Sequence, residues 1–170
     1  MMPISWRRRS LVPSVTVPRG EKVLAMTTAT DGAVLAGTRD AFYVVRDGET
    51  RRVPWEQVEA ANWDRDTDTF RLSEVGSWGE ERPVHTATLT DPGRLLELVR
   101  ERVTASVVLQ RHVTLGRSRS LRVIARRAPS GAGGVQWVYE YDEGVDPDDP
   151  EVRAAAGEAL ELARRDVGLP

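Results

Sequence analysis

Residues 111–127 carry Arg111, Arg117, Arg119, Arg122, Arg126 and Arg127 and no acid. Residues 140–151 carry Glu140, Asp142, Glu143, Asp146, Asp148, Asp149 and Glu151 and no base. A guanidinium group meets phosphate oxygens in a rigid, two-pronged geometry. Arg117, Arg119, Arg122 and Arg126 are therefore a candidate basic ribbon for the phosphates of nucleic acid or an anionic lipid. The matched sizes of the two blocks leave two other arrangements open, pairing within one chain and pairing between two copies. Against nucleic acid, Trp137, Tyr139 and Tyr141 follow the arginines instead of alternating with them, so no stacking platform is interleaved with the charge.

The other candidates for chemistry are weaker. The chain has two histidines, His85 and His112, and no cysteine, so a transition-metal site would need both histidines together with carboxylates. Asp64, Asp66 and Asp68 have the spacing of a calcium loop, but Thr69 stands where its glycine belongs and Val75 where its bidentate glutamate belongs. No serine lies in a Gly-x-Ser-x-Gly setting, and no dinucleotide or Walker loop occurs. Gly131-Ala132-Gly133-Gly134 precedes a strand, with no helix N-terminus to hold a phosphate. Glu80-Glu81 offers two carboxylates with no means of separating their acidities. The expectation is a protein that is not an enzyme and uses no cofactor and no metal. Among five tryptophans, Trp6 lies in a polar arm and Trp78 in a glycine-flanked loop, and an exposed tryptophan is a common binding anchor.

The bulk properties bound the class. The chain has 170 residues, a net charge of -2, 29% charged and 40% apolar residues, which describes one ordinary folded domain or one domain with an appendage. Lys22 is the only lysine among 24 basic residues, a bias that GC-rich coding explains without a nucleic-acid partner. No apolar run approaches the roughly 18 residues of a spanning helix. Arg7-Arg8-Arg9 is followed by a stretch broken by Pro13, Ser14 and Thr16, which is too polar for a secretory signal. Together with the absence of cysteine, these features give the expectation of a cytoplasmic protein with no transmembrane segment.

The elements that would position these residues read as follows. Residues 1–19 form an arm. Strands are expected over Glu21–Thr28, Ala33–Thr38, Ala41–Arg46, Thr50–Pro54, Gln57–Asp64, Thr69–Val75 and Pro83–Leu89. The third and fourth are joined by Asp47-Gly48, a hairpin signal because both residues tolerate positive φ. A helix then starts at Asp91-Pro92 and carries Leu95, Leu98, Val99, Val103 and Val107 on one stripe. The last third reads as strands Arg111–Leu115, Leu121–Arg127 and Val135–Tyr141, followed by a helix capped at Asp149 and stopped at Gly168. Val152, Ala156, Ala159, Leu160, Ala163 and Val167 form its apolar face.

Three segments carry a family likeness: Gly20-Glu21-Lys22-Val23-Leu24, the run from Leu35-Ala36-Gly37-Thr38 to Val44-Val45, and Val53-Pro54-Trp55-Glu56-Gln57-Val58. Together with seven strands followed by one helix, they make the chain resemble the bacterial PH-like and GRAM-like branches of the pleckstrin-homology superfold, over residues 20–107. The overall character is similar to that of an actinobacterial family. The fold this implies is α+β, mainly β. It consists of a PH-like seven-stranded antiparallel barrel or sandwich capped by a helix, with residues 108–170 as a C-terminal β-hairpin and helix packed on it or swapped from it. Proline ends ladder pairing at Pro54, and Trp55 is expected to cover the mouth of the barrel. The resemblance implies a scaffold that binds other molecules and seldom catalyses. The partner expected is a second copy or another protein, ahead of nucleic acid or anionic lipid.

Overall fold

A computed structural model describes residues 14–168. The first sheet is the antiparallel meander β1 (Ala25–Thr28), β2 (Val34–Gly37), β3 (Ala41–Arg46) and β4 (Glu49–Pro54). A single 3-10 turn, Trp55–Gln57, leads to the second sheet, β5 (Val58–Asp64), β6 (Thr69–Glu74) and β7 (Val84–Thr88). Helix α1 (Leu95–Ser106) follows. The third sheet is β8 (Val107–Leu115), β9 (Arg119–Arg126) and β10 (Gln136–Tyr141), in the order β10-β9-β8, and α2 (Pro150–Asp166) closes the described chain. The fold is mainly β with two helices. Asp47 and Gly48 take φ of 51° and 81° at the β3–β4 hairpin, as that turn requires.

The closed barrel is corrected: the first seven strands form two separate sheets. The backbone leaves the first sheet just after Pro54: the Trp55 N–H makes a last bond to Asp40 O at 3.3 Å, and the 3-10 turn then intervenes before β5. At the opposite edges the sheets are joined by isolated bonds, such as Thr30 N–H to Thr88 O at 3.0 Å. Between them lies one core containing Leu35, Phe42, Val53, Trp55, Val58, Phe70, Leu72 and Leu89. Phe42 meets Trp55 and Phe70 with ring centroids 6.1 and 5.8 Å apart. Trp55 lies inside this core, 0% exposed, rather than over a mouth. Its indole N–H donates to Thr38 O at 3.1 Å. Leu95, Leu98 and Val99 of α1 are buried against the sandwich. A Cβ on Gly37 would lie 2.6 Å from Leu98 Cδ2, so the Leu98 side chain rests directly on this glycine.

Several element boundaries differ from the sequence expectation: β1 begins at Ala25 and not at Glu21, β8 begins at Val107 and not at Arg111, and α1 is shifted at both ends. Asp91 Oδ1 accepts from the Gly93 N–H in a local turn, Gly93 takes φ of 51°, and α1 begins only at Leu95. Val107, expected on the helical stripe, opens β8. Residues 14–19, the described part of the expected arm, are not free either, and the segment leading into β1 packs with them. Val15, Val17 and Val23 pack on the outer face of the first sheet against Ala36, Ala41 and Tyr43. The rest of the expected arm, residues 1–13 with Trp6 and Arg7–Arg9, lies outside the described residues.

The C-terminal unit has its own core: Leu121 and Val123 of β9 against Ala156, Ala159 and Ala163 of α2. Asp149 Oδ1 accepts from the Glu151 N–H at 2.8 Å, Pro150 opens α2, and Gly168 follows it at φ of 69°, all as the capping signals imply. The unit packs on its own strands and is joined to the sandwich through buried Arg126. Its Nη1 donates to Val58 O at 2.8 Å and Ser106 Oγ at 3.2 Å, and its Nη2 donates to Glu59 O at 3.2 Å. No described helix is long and apolar enough to cross a membrane.

Candidate functional site: a polar groove between the two units

A groove of about 840 Å³ runs between the second sheet and the edge of β10. Its floor carries Arg71 and Ser73 of β6, and one wall carries Trp78 and Arg82 from the β6–β7 connection. The other wall carries Arg122 of β9 with Glu140 and Tyr141 of β10. Glu59 enters because of a β-bulge. Val58 pairs with Glu74 and Ala60 with Ser73, which leaves Glu59 as the extra residue, and such a bulge re-aims a side chain. Trp78 is 65% exposed. Its ring meets Tyr141 edge-on at 6.3 Å, and Tyr141 stacks on Tyr139 at 6.2 Å. Gly79, at φ of 80°, turns the loop that carries the indole.

Each wall supplies one carboxylate with its own arginine. Glu59 Oε2 pairs with Arg82 Nη1, and Glu140 Oε2 pairs with Arg122 Nη2 at 2.5 Å. Burial pushes the Glu59 carboxyl above its ordinary value against the pull of Arg82, and the Glu140 charge pushes the same way. Burial also lowers the Arg126 guanidinium from its ordinary value, opposed by Glu140 and Glu59. Opposite charges and aromatic surface therefore share one concave face. Such a face suits a partner that brings its own mixed charge and an apolar side chain.

Among the predicted residues, the structure brings Trp78 and Arg122 together in this groove and disperses the others. Arg126 is 3% exposed and bonded inward, so it is corrected out of any solvent-facing ribbon. Arg119 donates to Gly144 O at 2.6 Å, and Arg117 sits exposed in the β8–β9 turn. Alternation along β9 sets Arg119 on the face opposite Arg122. The acidic block answers the basic one locally: the β9–β10 register sets Glu140 opposite Arg122, and Asp142 accepts from the Ser120 N–H and hydroxyl at 2.7 Å. Pairing within one chain therefore accounts for part of the two charge blocks.

Glu59 and Arg82 carry no signal of a site in the sequence, and Tyr141 stands out there only with Trp137 and Tyr139. A bulge and an inter-unit contact have no local signature. His85, expected on the sheet, lies there and bonds buried Glu74. Glu74 takes Arg51 Nε and Nη2 at 3.0 and 2.5 Å and His85 Nε2 at 2.7 Å. Burial alone would raise the Glu74 carboxyl, but the bonds from Arg51 and His85 outweigh it and hold it below its ordinary value. Asp64, Asp66 and Asp68 form a hairpin turn in which Asp64 Oδ1 accepts from the Asp66 N–H at 2.9 Å. A second, more apolar cleft of about 340 Å³ lies between β5 and α1, lined by Ala61, Trp63, Phe70, Leu96, Val99 and Val103 among others.

Comparison with protein-family profiles, curated proteins and solved structures finds no match to this chain.

Proposed function

We propose that the chain is a non-catalytic cytoplasmic interaction module of pleckstrin-homology-like fold that binds another protein or a second copy of itself. The observation that carries this reading is the exposed Trp78, braced by Tyr141 and flanked by the Arg82–Glu59 and Arg122–Glu140 pairs. Tryptophan, tyrosine and arginine are the residues that dominate binding energy at protein interfaces. The PH-like part of the reading is supported by a four-stranded and a three-stranded antiparallel sheet followed by a helix packed at their end. The phosphate-binding alternative loses support from the burial of Arg126 and the engagement of Arg119 and Arg122.

The test is selection of a displayed peptide library on the immobilised protein, followed by titration of the enriched peptides at low and high salt. Peptides that bind with little salt dependence and lose at least about tenfold in affinity to Trp78→Ala are expected. A nucleic-acid gel shift runs alongside. A steeply salt-dependent shift with no peptide enrichment overturns the proposal in favour of the phosphate reading.

A further inference from the structure

Six strands stand at sheet edges, and most of these edges are guarded in the ways that prevent unwanted pairing. β1 runs beside α1, with the Thr27 hydroxyl donating to Asp91 O at 2.6 Å. β4 carries Arg51, Arg52 and Pro54. β5 has its Val58 and Glu59 carbonyls taken by Arg126. β7 has Thr86 O taken by Arg46 and Thr88 O by Thr30. β8 has a bulge near Val107 and an arginine, Arg111, tied to Asp166. β10 has none of these. Its six residues, Gln-Trp-Val-Tyr-Glu-Tyr, include no proline, lysine or arginine, and it pairs with β9 without a bulge.

The orientation of its backbone follows from one bond. The Asp142 N–H donates to Ser120 O at 3.0 Å, which continues the ladder in which Tyr141 faces Leu121 and Glu140 faces Arg122. Inward bonds in an antiparallel ladder come from every second residue. Residues 136, 138 and 140 therefore bond to β9, and Trp137, Tyr139 and Tyr141 turn their N–H and C=O groups outward. No other described backbone segment meets them. The side-chain hydrogen bond and the ring contact from the sandwich fall at the two ends of the strand, from Gln57 to Gln136 and from Trp78 to Tyr141, and Glu140 between them lines the groove with Glu59.

We propose that a second copy of this chain adds to β10 in antiparallel register about a two-fold axis through Val138, making one continuous sheet across both copies. The strand is complementary to itself in that register. Gln136 meets the partner's Glu140, and Trp137 meets the partner's Tyr139 as a backbone-bonded pair. Gln57 Nε2 already donates to Gln136 Oε1, which leaves the Gln136 amide N–H groups free to donate to a carboxylate. Moving the axis to Tyr139 sets Glu140 against Val138, and moving it to Trp137 sets Glu140 against Gly134. Both lose the amide–carboxylate match. Aromatic and polar cross-strand pairs of this kind are what stabilise a sheet. The inference deepens the self-association arm of the proposed function and rests on that reading.

The chain has no cysteine, so Val138→Cys introduces a single thiol at the axis. Residue 138 is there a non-hydrogen-bonded pair, the closer kind, which suits a disulfide. Under mild oxidation Val138→Cys is expected to form an intermolecular disulfide much faster than Ser118→Cys in the exposed β8–β9 turn. Light scattering is expected to give a dimer that dissociates on dilution. Gln136 is exposed, so substitutions there leave the circular dichroism unchanged. Gln136→Glu is expected to weaken the dimer and Gln136→Lys to tighten it, each by about two- to thirtyfold over two symmetric pairs. A chain that stays monomeric overturns the proposal. So does a dimer indifferent to both substitutions, or one in which Val138→Cys crosslinks no faster than Ser118→Cys. Those failures leave the Trp78 peptide measurement standing, whereas loss of that measurement alone would discard the groove and keep the dimer.

Discussion

The sandwich and the C-terminal unit each bury one helix against strands, with different materials. The sandwich fills its interior with Phe42, Trp55 and Phe70 among branched aliphatics. The C-terminal unit presses an alanine stripe of α2 onto Leu121 and Val123, with its aromatics only half-buried around the margin. The first therefore depends on volume and the second on close approach. The difference also tells where binding surface arises. The unit with a small core leaves Trp137, Tyr139 and Tyr141 partly uncovered at an edge, and there the groove and the free backbone meet.

The largest expected effect tests the dependence on volume. Trp55→Ala removes a fully buried indole and its bond to Thr38, and should cost about 3–5 kcal/mol in denaturant unfolding. A loss under about 1 kcal/mol would mean that the sandwich can collapse around the gap. Next comes the joint between the units. Arg126→Ala strands the Val58 and Glu59 carbonyls and should cost about 3 kcal/mol. It should also separate the unfolding of the two units, so tryptophan fluorescence and far-UV circular dichroism should stop coinciding. Coincident transitions would show that the units are coupled by something other than this guanidinium.

Ala159→Leu then tests close approach in the C-terminal unit. Overpacking there should cost about 1–3 kcal/mol, whereas a neutral result would show room beneath α2. The smallest effects are those of pH, and they differ in sign between the regions. Glu74 in the sandwich is held below its ordinary 4.5, so its contribution is present above that pH and is lost as pH falls through the depressed value. Glu74→Gln should flatten the acid limb of the stability profile. Glu59 at the groove is raised above 4.5, so its contribution is present below that pH and is lost as pH rises through the raised value. Glu59→Gln should therefore be close to neutral at pH 7, within about 1 kcal/mol. A parallel pair of pH profiles for the two variants would contradict the opposed directions.

Much of the fold was legible because its signals are local. Asp47-Gly48, Asp149-Pro150 and Gly168 mark turns and ends through φ preferences and capping that need no distant partner. Ala41–Arg46 is bounded in the structure as its β-branched and aromatic run and the Asp47-Gly48 turn imply. Where a signal was ambiguous, context won. Asp91-Pro92 reads as a helix start, yet Gly93 turns the chain first and α1 waits for Leu95. Val107 fits a helical stripe, yet the β9 ladder claims it. The candidate site was the least legible part. Trp78 stood out by its glycine neighbours and Arg122 by charge, but their meeting depends on how β10 lies against the second sheet.

Residue order alone decided the count and sequence of antiparallel strands, the presence of both helices, and the start and stop of α2. Each depends on side-chain period or on backbone preferences within a few residues. Tertiary structure alone decided that the first seven strands part into two sheets, that Arg126 is buried while Arg122 faces solvent, and that Glu59 and Glu140 face one groove. These outcomes turn on burial and on contacts between segments up to 79 residues apart, whose desolvation and pairing no local stretch encodes.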